Sequence, residues 1–281
     1  MERTVTKTVQ GMRTVDGAGV SLVRVLGPDT VKDFDPILML DSFDSEDPDD
    51  YTAGFPLHPH RGIETVSYLY RGRMRHGDSL GNSDEITDGE VQWMCAGSGI
   101  MHEEAVPAAK RLLGVQLWLN MPAREKMSAP AYRKIAHDAI REIPLEGGML
   151  RLLAGRYGDI EGAQGAHLPL DYYDVHLEEG AAFSTEVDPD RSIMLFTLLG
   201  SARVGDTAIP PKTAAKLSAG DTVRFTAEGG PAQVLFMGSQ ALGEPVAWGG
   251  PVVMNTREEL VQASEDLMRG TFVRDAIDFK A

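Results

Sequence analysis

The chain contains a single cysteine, Cys95, in 281 residues. No internal disulfide can form, and nothing in its thiol content points to an oxidising compartment. It also lacks a basic block. Lys and Arg number 27 against 42 Asp and Glu, for a formal net charge of -15. That balance argues against direct binding to a phosphate backbone, which requires clustered cationic side chains. No apolar run approaches the ~18 residues a membrane span needs, and Met1-Glu2-Arg3-Thr4-Val5 has no apolar signal core. A cytoplasmic protein with neither a membrane nor a nucleic-acid partner is expected.

What the chain does have is punctuation. Thirty glycines and 16 prolines separate short runs rich in Val, Leu, Ile and Tyr, among them Thr65-Val66-Ser67-Tyr68-Leu69-Tyr70, Leu113-Gly114-Val115-Gln116-Leu117-Trp118 and Ile193-Met194-Leu195-Phe196-Thr197-Leu198. This texture predicts an all-β protein, a sandwich or jelly-roll barrel. The length suits one large or two medium domains. One stretch near the C-terminus differs. Thr256-Arg257-Glu258-Glu259 is a capping box that opens a helix, with Leu260, Ala263 and Leu267 on one face and Gly270 at its end. This helix is read as cladding on the exterior of a barrel.

Two internal echoes suggest duplication. Tyr70-Arg71-Gly72-Arg73-Met74-Arg75-His76-Gly77-Asp78 reads like Leu198-Leu199-Gly200-Ser201-Ala202-Arg203-Val204-Gly205-Asp206, an offset of 128. Asp88-Gly89-Glu90-Val91-Gln92-Trp93 parallels Ala219-Gly220-Asp221-Thr222-Val223-Arg224 at 131. Two domains are expected, 1–135 and 136–281.

Between Leu57 and Glu104 lie a His-x-His pair, His58 and His60, and a His-x-carboxylate pair, His102 and Glu104. Residues two apart on a strand point to one face. On neighbouring strands the two pairs would aim three imidazoles and one carboxylate at a single point. That donor set suits a divalent transition metal and leaves about two positions open on an octahedral ion. Counting to matching positions in the second half lands on Glu186, Asp188, Val234 and Phe236, none an imidazole, so no such site is expected there. His167 and His176 are read as structural. Phe55, Leu57, Trp93 and Met101 are candidates for an apolar wall, with Trp93 and Met101 read as core. Cys95 is read as a buried, inert thiol.

The spacing His-x-His, Glu three residues on, a turn glycine, then Gly-x-Gly-x-x-His resembles the two cupin motifs. Glu64 to Gly72 is one residue longer than usual, and Cys95 or Gly97 stands where cupins often have proline. More specifically, the chain resembles the pirin family. The strings that carry this are His58-Pro59-His60-Arg61-Gly62-Ile63-Glu64-Thr65-Val66-Ser67-Tyr68, Gln92-Trp93-Met94-x-Ala96-Gly97-x-Gly99-Ile100-x-His102-x-Glu104 and Asp35-Pro36-Ile37-Leu38-Met39-Leu40-Asp41. Glu244-Pro245-Val246, Gly250-Pro251 and Val253-Met254-Asn255-Thr256 extend the match to the C-terminal region.

The resemblance implies two tandem cupin (jelly-roll) β-barrels with a short C-terminal helix, and a metal in the N-terminal barrel alone. It implies His58, His60, His102 and Glu104 as ligands. Glu64 is then not a ligand, and Glu103 is turned to the opposite strand face unless a local bulge lets it exchange with Glu104. The implied cofactor is one divalent metal ion, Fe(II), with Mn, Ni, Co and Zn as alternatives. The implied reaction is quercetin 2,3-dioxygenase-like: oxidative opening of a flavonol ring, with both atoms of O2 incorporated and CO released. Glu104 would take the hydroxyl proton, and the partners would be a small aromatic or phenolic substrate and O2. The alternative is a non-enzymatic, iron-dependent redox-sensing regulator that binds transcription or metabolic proteins.

Overall fold

Apolar residues at every second position bury one face of a strand, and glycines free the backbone to turn between strands. A computed structural model shows these runs as antiparallel strands and describes residues 1–274; residues 275–281 of the second expected domain lie outside the described residues. Backbone contacts group the chain into two units that interleave its ends. One unit draws on Arg13–Arg24, Ile37–His137 and the chain from Leu242 onward; the other draws on Met1–Met12, Val25–Pro36 and Asp138–Ala241.

The first unit carries a seven-stranded sheet in the order Ala131–Ile135, Glu90–Cys95, Ile63–Arg71, Leu112–Asn120, Ile37–Ser45, Val20–Leu26, Met12–Asp16. A four-stranded sheet runs Phe55–His60, Ile100–Ala105, Met74–Asp78, Ser83–Ile86. Leu22, Phe43, Leu69, Met74, Ile86 and Leu112 from both sheets share one buried cluster.

The second unit is a nine-stranded sheet built around two long strands, Arg191–Val204 and Thr222–Gln240. Register shifts at Thr197/Leu199 and Leu199/Ser201 bend this pair, as bulges do. Leu195, Phe236, Phe225, Phe183 and Val223 fill its core. The N-terminal strand Val5–Gln10 joins it along Thr213–Leu217. Buried Arg3 fixes that strand by donating to the carbonyls of Gly220, Arg191, Ser218, Asp188 and Pro189.

The helix spans Arg257–Arg269, with the expected capping box and with Gly270 in the left-handed region at φ 69°. Ala263 is buried, but Leu267 is 40% exposed, unlike the expected apolar face. Asp266 is buried in its place, because it pairs with Arg61 at 2.8 Å. Among the described residues no helix is long and apolar enough to cross a membrane.

Strand registers test the internal echoes. Ser67 lies opposite Gln116 and Leu195 opposite Phe236, which upholds the offset of 128 that aligns Gly72 with Gly200. The second echo fails. Ser67 also pairs with Gln92, and Leu195 with Ala215, so the counterpart of Glu90–Cys95 is Thr213–Leu217. Gly220 instead matches Gly99, both at positive φ, 153° and 140°. The loops shorten along the second unit, so counting at a constant offset misplaces the later strands. The registers set Thr185, Val187, Val223 and Phe225 where the first unit has His58, His60, His102 and Glu104. These replace Glu186, Asp188, Val234 and Phe236, and again no imidazole is among them.

Candidate metal centre

The strands Phe55–His60 and Ile100–Ala105 pair antiparallel with His102 directly opposite His58. Two-residue alternation then brings His60 to the same face. One nitrogen from each of His58, His60 and His102 lies within 4.8 Å of the others. The rings of His58 and His102 are 4.3 Å apart and those of His60 and His102 5.0 Å apart, centroid to centroid.

Hydrogen bonds on the far side of the rings decide which nitrogens face inward. His58 Nδ1 meets the Pro56 carbonyl at 2.8 Å, and His60 Nδ1 meets the Pro251 carbonyl at 2.8 Å. A carbonyl can only accept, so each Nδ1 carries the proton and each Nε2 a lone pair. Those Nε2 atoms stand 3.1 Å apart. Two lone pairs at that distance repel unless a cation lies between them.

A proton is a poor candidate, because burial, with a smaller contribution from His58, lowers the His60 pKa to about 3. Burial, then His60, holds His102 well below the ordinary histidine range. Both ring nitrogens of His102 are buried without a hydrogen-bond partner, a costly state that a ligated ion relieves at the nitrogen carrying the lone pair. The donor set therefore fits a divalent transition metal, and carbonyl-anchored histidines are the usual outer-shell arrangement of such sites.

Glu104 falls in a second group, within 4.8 Å of His102 and His76, so His102 is common to both groups. The Glu104 carboxylate accepts from the Gln92 amide and from Gln116 Nε2, the latter at 3.0 Å to Oε2. Gln116 Nε2 also donates to Ser67 Oγ at 3.1 Å. Glu103 is exposed, as alternation predicts, even though the ladder shifts register between His102 and Glu104.

His76 was not singled out in the sequence, although His76-Gly77-Asp78 repeats the strand-spaced pairing that marks the other candidates. Its Nε2 lies 2.8 Å from Asp78 Oδ2, and its ring stacks on Tyr132 at 4.2 Å. Asp78 also accepts from Leu80 and Asn82. Burial raises its pKa, but the bonds from His76 and Asn82 outweigh this and leave the carboxyl below its usual range.

Trp118 also gave no sequence signal. It sits edge-on to His60 at 4.9 Å and stacks on Trp248 at 5.8 Å. Of the expected apolar wall, Leu57 is 45% exposed and Phe55 half-buried. Trp93 is core, donating to Glu64 Oε2 at 2.8 Å, while Met101 is half-buried. Burial, then Glu64, pushes the Cys95 thiol up to about 12, so it stays protonated and inert. His176 is structural, bonded to Asp174 at 2.9 Å.

These two β-sheet units define a tandem-cupin protein, with a histidine cluster in one unit and one threonine and three apolar side chains, none able to replace an imidazole, at the matching positions of the other. Residues 19–119 match the pirin family and residues 172–273 match its C-terminal cupin domain. A pirin-like protein of Caulobacter vibrioides is 44% identical over 274 residues, covering 96% of this chain and 99% of its own. The crystal structure of a quercetin 2,3-dioxygenase from Acinetobacter baumannii aligns with a TM-score of 0.89 at 32% identity, covering 97% of this chain and 99% of that one. The chain belongs to the pirin family.

Proposed function

We propose that this protein is a metal-dependent dioxygenase that opens the ring of flavonols such as quercetin, with His58, His60, His102 and Glu104 as ligands and Fe(II) as the metal. The observation that carries this reading is the 3.1 Å approach of the Nε2 atoms of half-buried His58 and buried His60, whose Nδ1 protons are committed to backbone carbonyls. The Acinetobacter relative's name supplies the substrate class. A bound divalent metal contributes Lewis acidity toward a hydroxyl group and coordination positions open to small molecules.

The chain's own residues do the rest. Carbonyls of Pro56 and Pro251 fix the tautomers of two histidines. Gln92 and Gln116 hold the Glu104 carboxylate by their amide protons, and this carboxylate takes the proton of the phenolic hydroxyl as general base. Trp118, edge-on to His60 and backed by Trp248, packs an aromatic wall beside that ligand.

The test is carbon monoxide release from quercetin under air by purified, metal-analysed protein. Release should stop in the metal-stripped protein, return when Fe(II) is restored, and be absent in His58→Ala. Release that persists in His58→Ala sinks the assignment.

A further inference from the structure

His60 is held from behind by a residue 191 positions away, Pro251, and the segment that carries Pro251 is itself tied down next to the histidine. Arg61 follows His60 directly, is 1% exposed, and spends its whole guanidinium on fixed partners. Its Nε donates to Ser98 O at 2.6 Å, its Nη1 to Asp266 of the helix at 2.8 Å, and its Nη2 to Phe272 O at 3.1 Å. Its plane also lies 4.2 Å over the Phe272 ring.

Around this hub the backbones are locked. Val253 N donates to Arg61 O at 3.1 Å. Buried Lys126 clamps Gly62 O and Val253 O at 2.8 and 2.9 Å. A Cβ at Gly62 would stand 2.1 Å from Val253 O, so no other residue admits the strand so close.

We propose that residues 251–272 form a clasp that positions His60 for the metal, with Arg61 and Asp266 as positioning residues, so that metal occupancy and docking of the C-terminal helix are thermodynamically linked. This rests on the metal reading above. The physical reason is short. A histidine ligand binds well only when its ring is preset, and removal of the outer-shell partner that presets it costs about 10–100-fold in affinity. If the docked segment raises metal affinity, the metal must stabilise docking by the same factor. Asp266 acts at one remove from the ring, through Arg61 and the backbone of 251–253.

The experiment is Co(II) affinity by competition titration, paired with amide hydrogen exchange of the helix Arg257–Arg269 with and without Co(II), in wild type, Asp266→Asn and Met268→Ser. Wild type should bind one Co(II) and show slower helix exchange when loaded. Asp266→Asn should bind Co(II) about tenfold more weakly and lose most of the metal-dependent protection. Met268→Ser, at a position 78% exposed, should match wild type.

The Nδ1 proton of His60 gives a readout that a general loss of packing does not move, provided the other histidine resonances are unchanged. It should exchange faster with water in Asp266→Asn. If Asp266→Asn fails to fold, exchange in wild type alone still decides: equal helix protection with and without bound Co(II) overturns the clasp. A wild-type protein that binds no Co(II) overturns the metal reading first and the clasp with it.

Discussion

In the first unit Ser67 faces Gln116 across paired strands, and in the second unit the same register sets Leu195 against Phe236. The neighbouring strand adds Gln92 in the first and Ala215 in the second. Where the first unit aims His58, His60, His102 and Glu104 inward, the second has Thr185, Val187, Val223 and Phe225. His76 corresponds to Val204. One ladder thus serves two interiors, one built of donors and acceptors and the other, Thr185 apart, of hydrocarbon.

The lesson is that the candidate ligands and their supporting polar shell differ together. A buried carboxylate without Gln92 and Gln116 would be an unpaired charge, which is costly. Once the ligands are absent, those amides would themselves be unsatisfied, and apolar residues pack better. Phe236 shows the result, 1% exposed and stacked on Tyr173 at 4.8 Å.

Four substitutions or conditions would break or sharpen this contrast. The largest effect is expected from importing the second unit's residue into the first. His102→Val should take the bound metal from one per chain to near none, as read by elemental analysis, whereas Val223→Thr should leave metal content unchanged. Second, Phe236→Ala should cost about 3–5 kcal/mol of stability in denaturant unfolding, the range for a buried phenylalanine, while metal stoichiometry stays at the wild-type value. Equal loss of metal there would mean that the two interiors are not separate in function.

Third, Gln116→Leu leaves Glu104 with one amide donor fewer and should weaken metal affinity about tenfold, in the range for outer-shell partners; unchanged affinity would remove Gln116 from the site's support. The smallest effect concerns pH. The folded-state pKa of His60 lies at about 3, below its unfolded value, so between those two values the unfolded chain binds the extra proton. Metal-free protein should lose stability as pH falls from about 6.5 toward about 3. His60→Leu should flatten that part of the profile, and an unaltered slope would show that His60 titrates normally.

Much of this was readable from spacing. Residues two apart on a strand share a face whatever the fold, so His58/His60 and His102/Glu104 stand out as candidate donors; the structure groups His58, His60 and His102, and sets Glu104 with His102 and His76. The same rule would have found His76 had it been applied to His76-Gly77-Asp78. The capping box at Thr256 and the glycine at 270 are local chemistry and formed as expected. Leu267 did not follow the helical pattern, because a distant Arg61 required Asp266 on the buried face. The echo at Gly220 misled because loop lengths between strands are free to change while register is not.

By itself, the sequence determined the all-β character, the candidate ligands and the helix ends, since period-two patterning and capping depend on neighbours in the chain. Only the tertiary structure decided which strands sit side by side, that Pro251 orients His60, and that Gln92 and Gln116 hold Glu104. Those contacts join residues tens to hundreds of positions apart, and pairing register rather than local propensity brings them together.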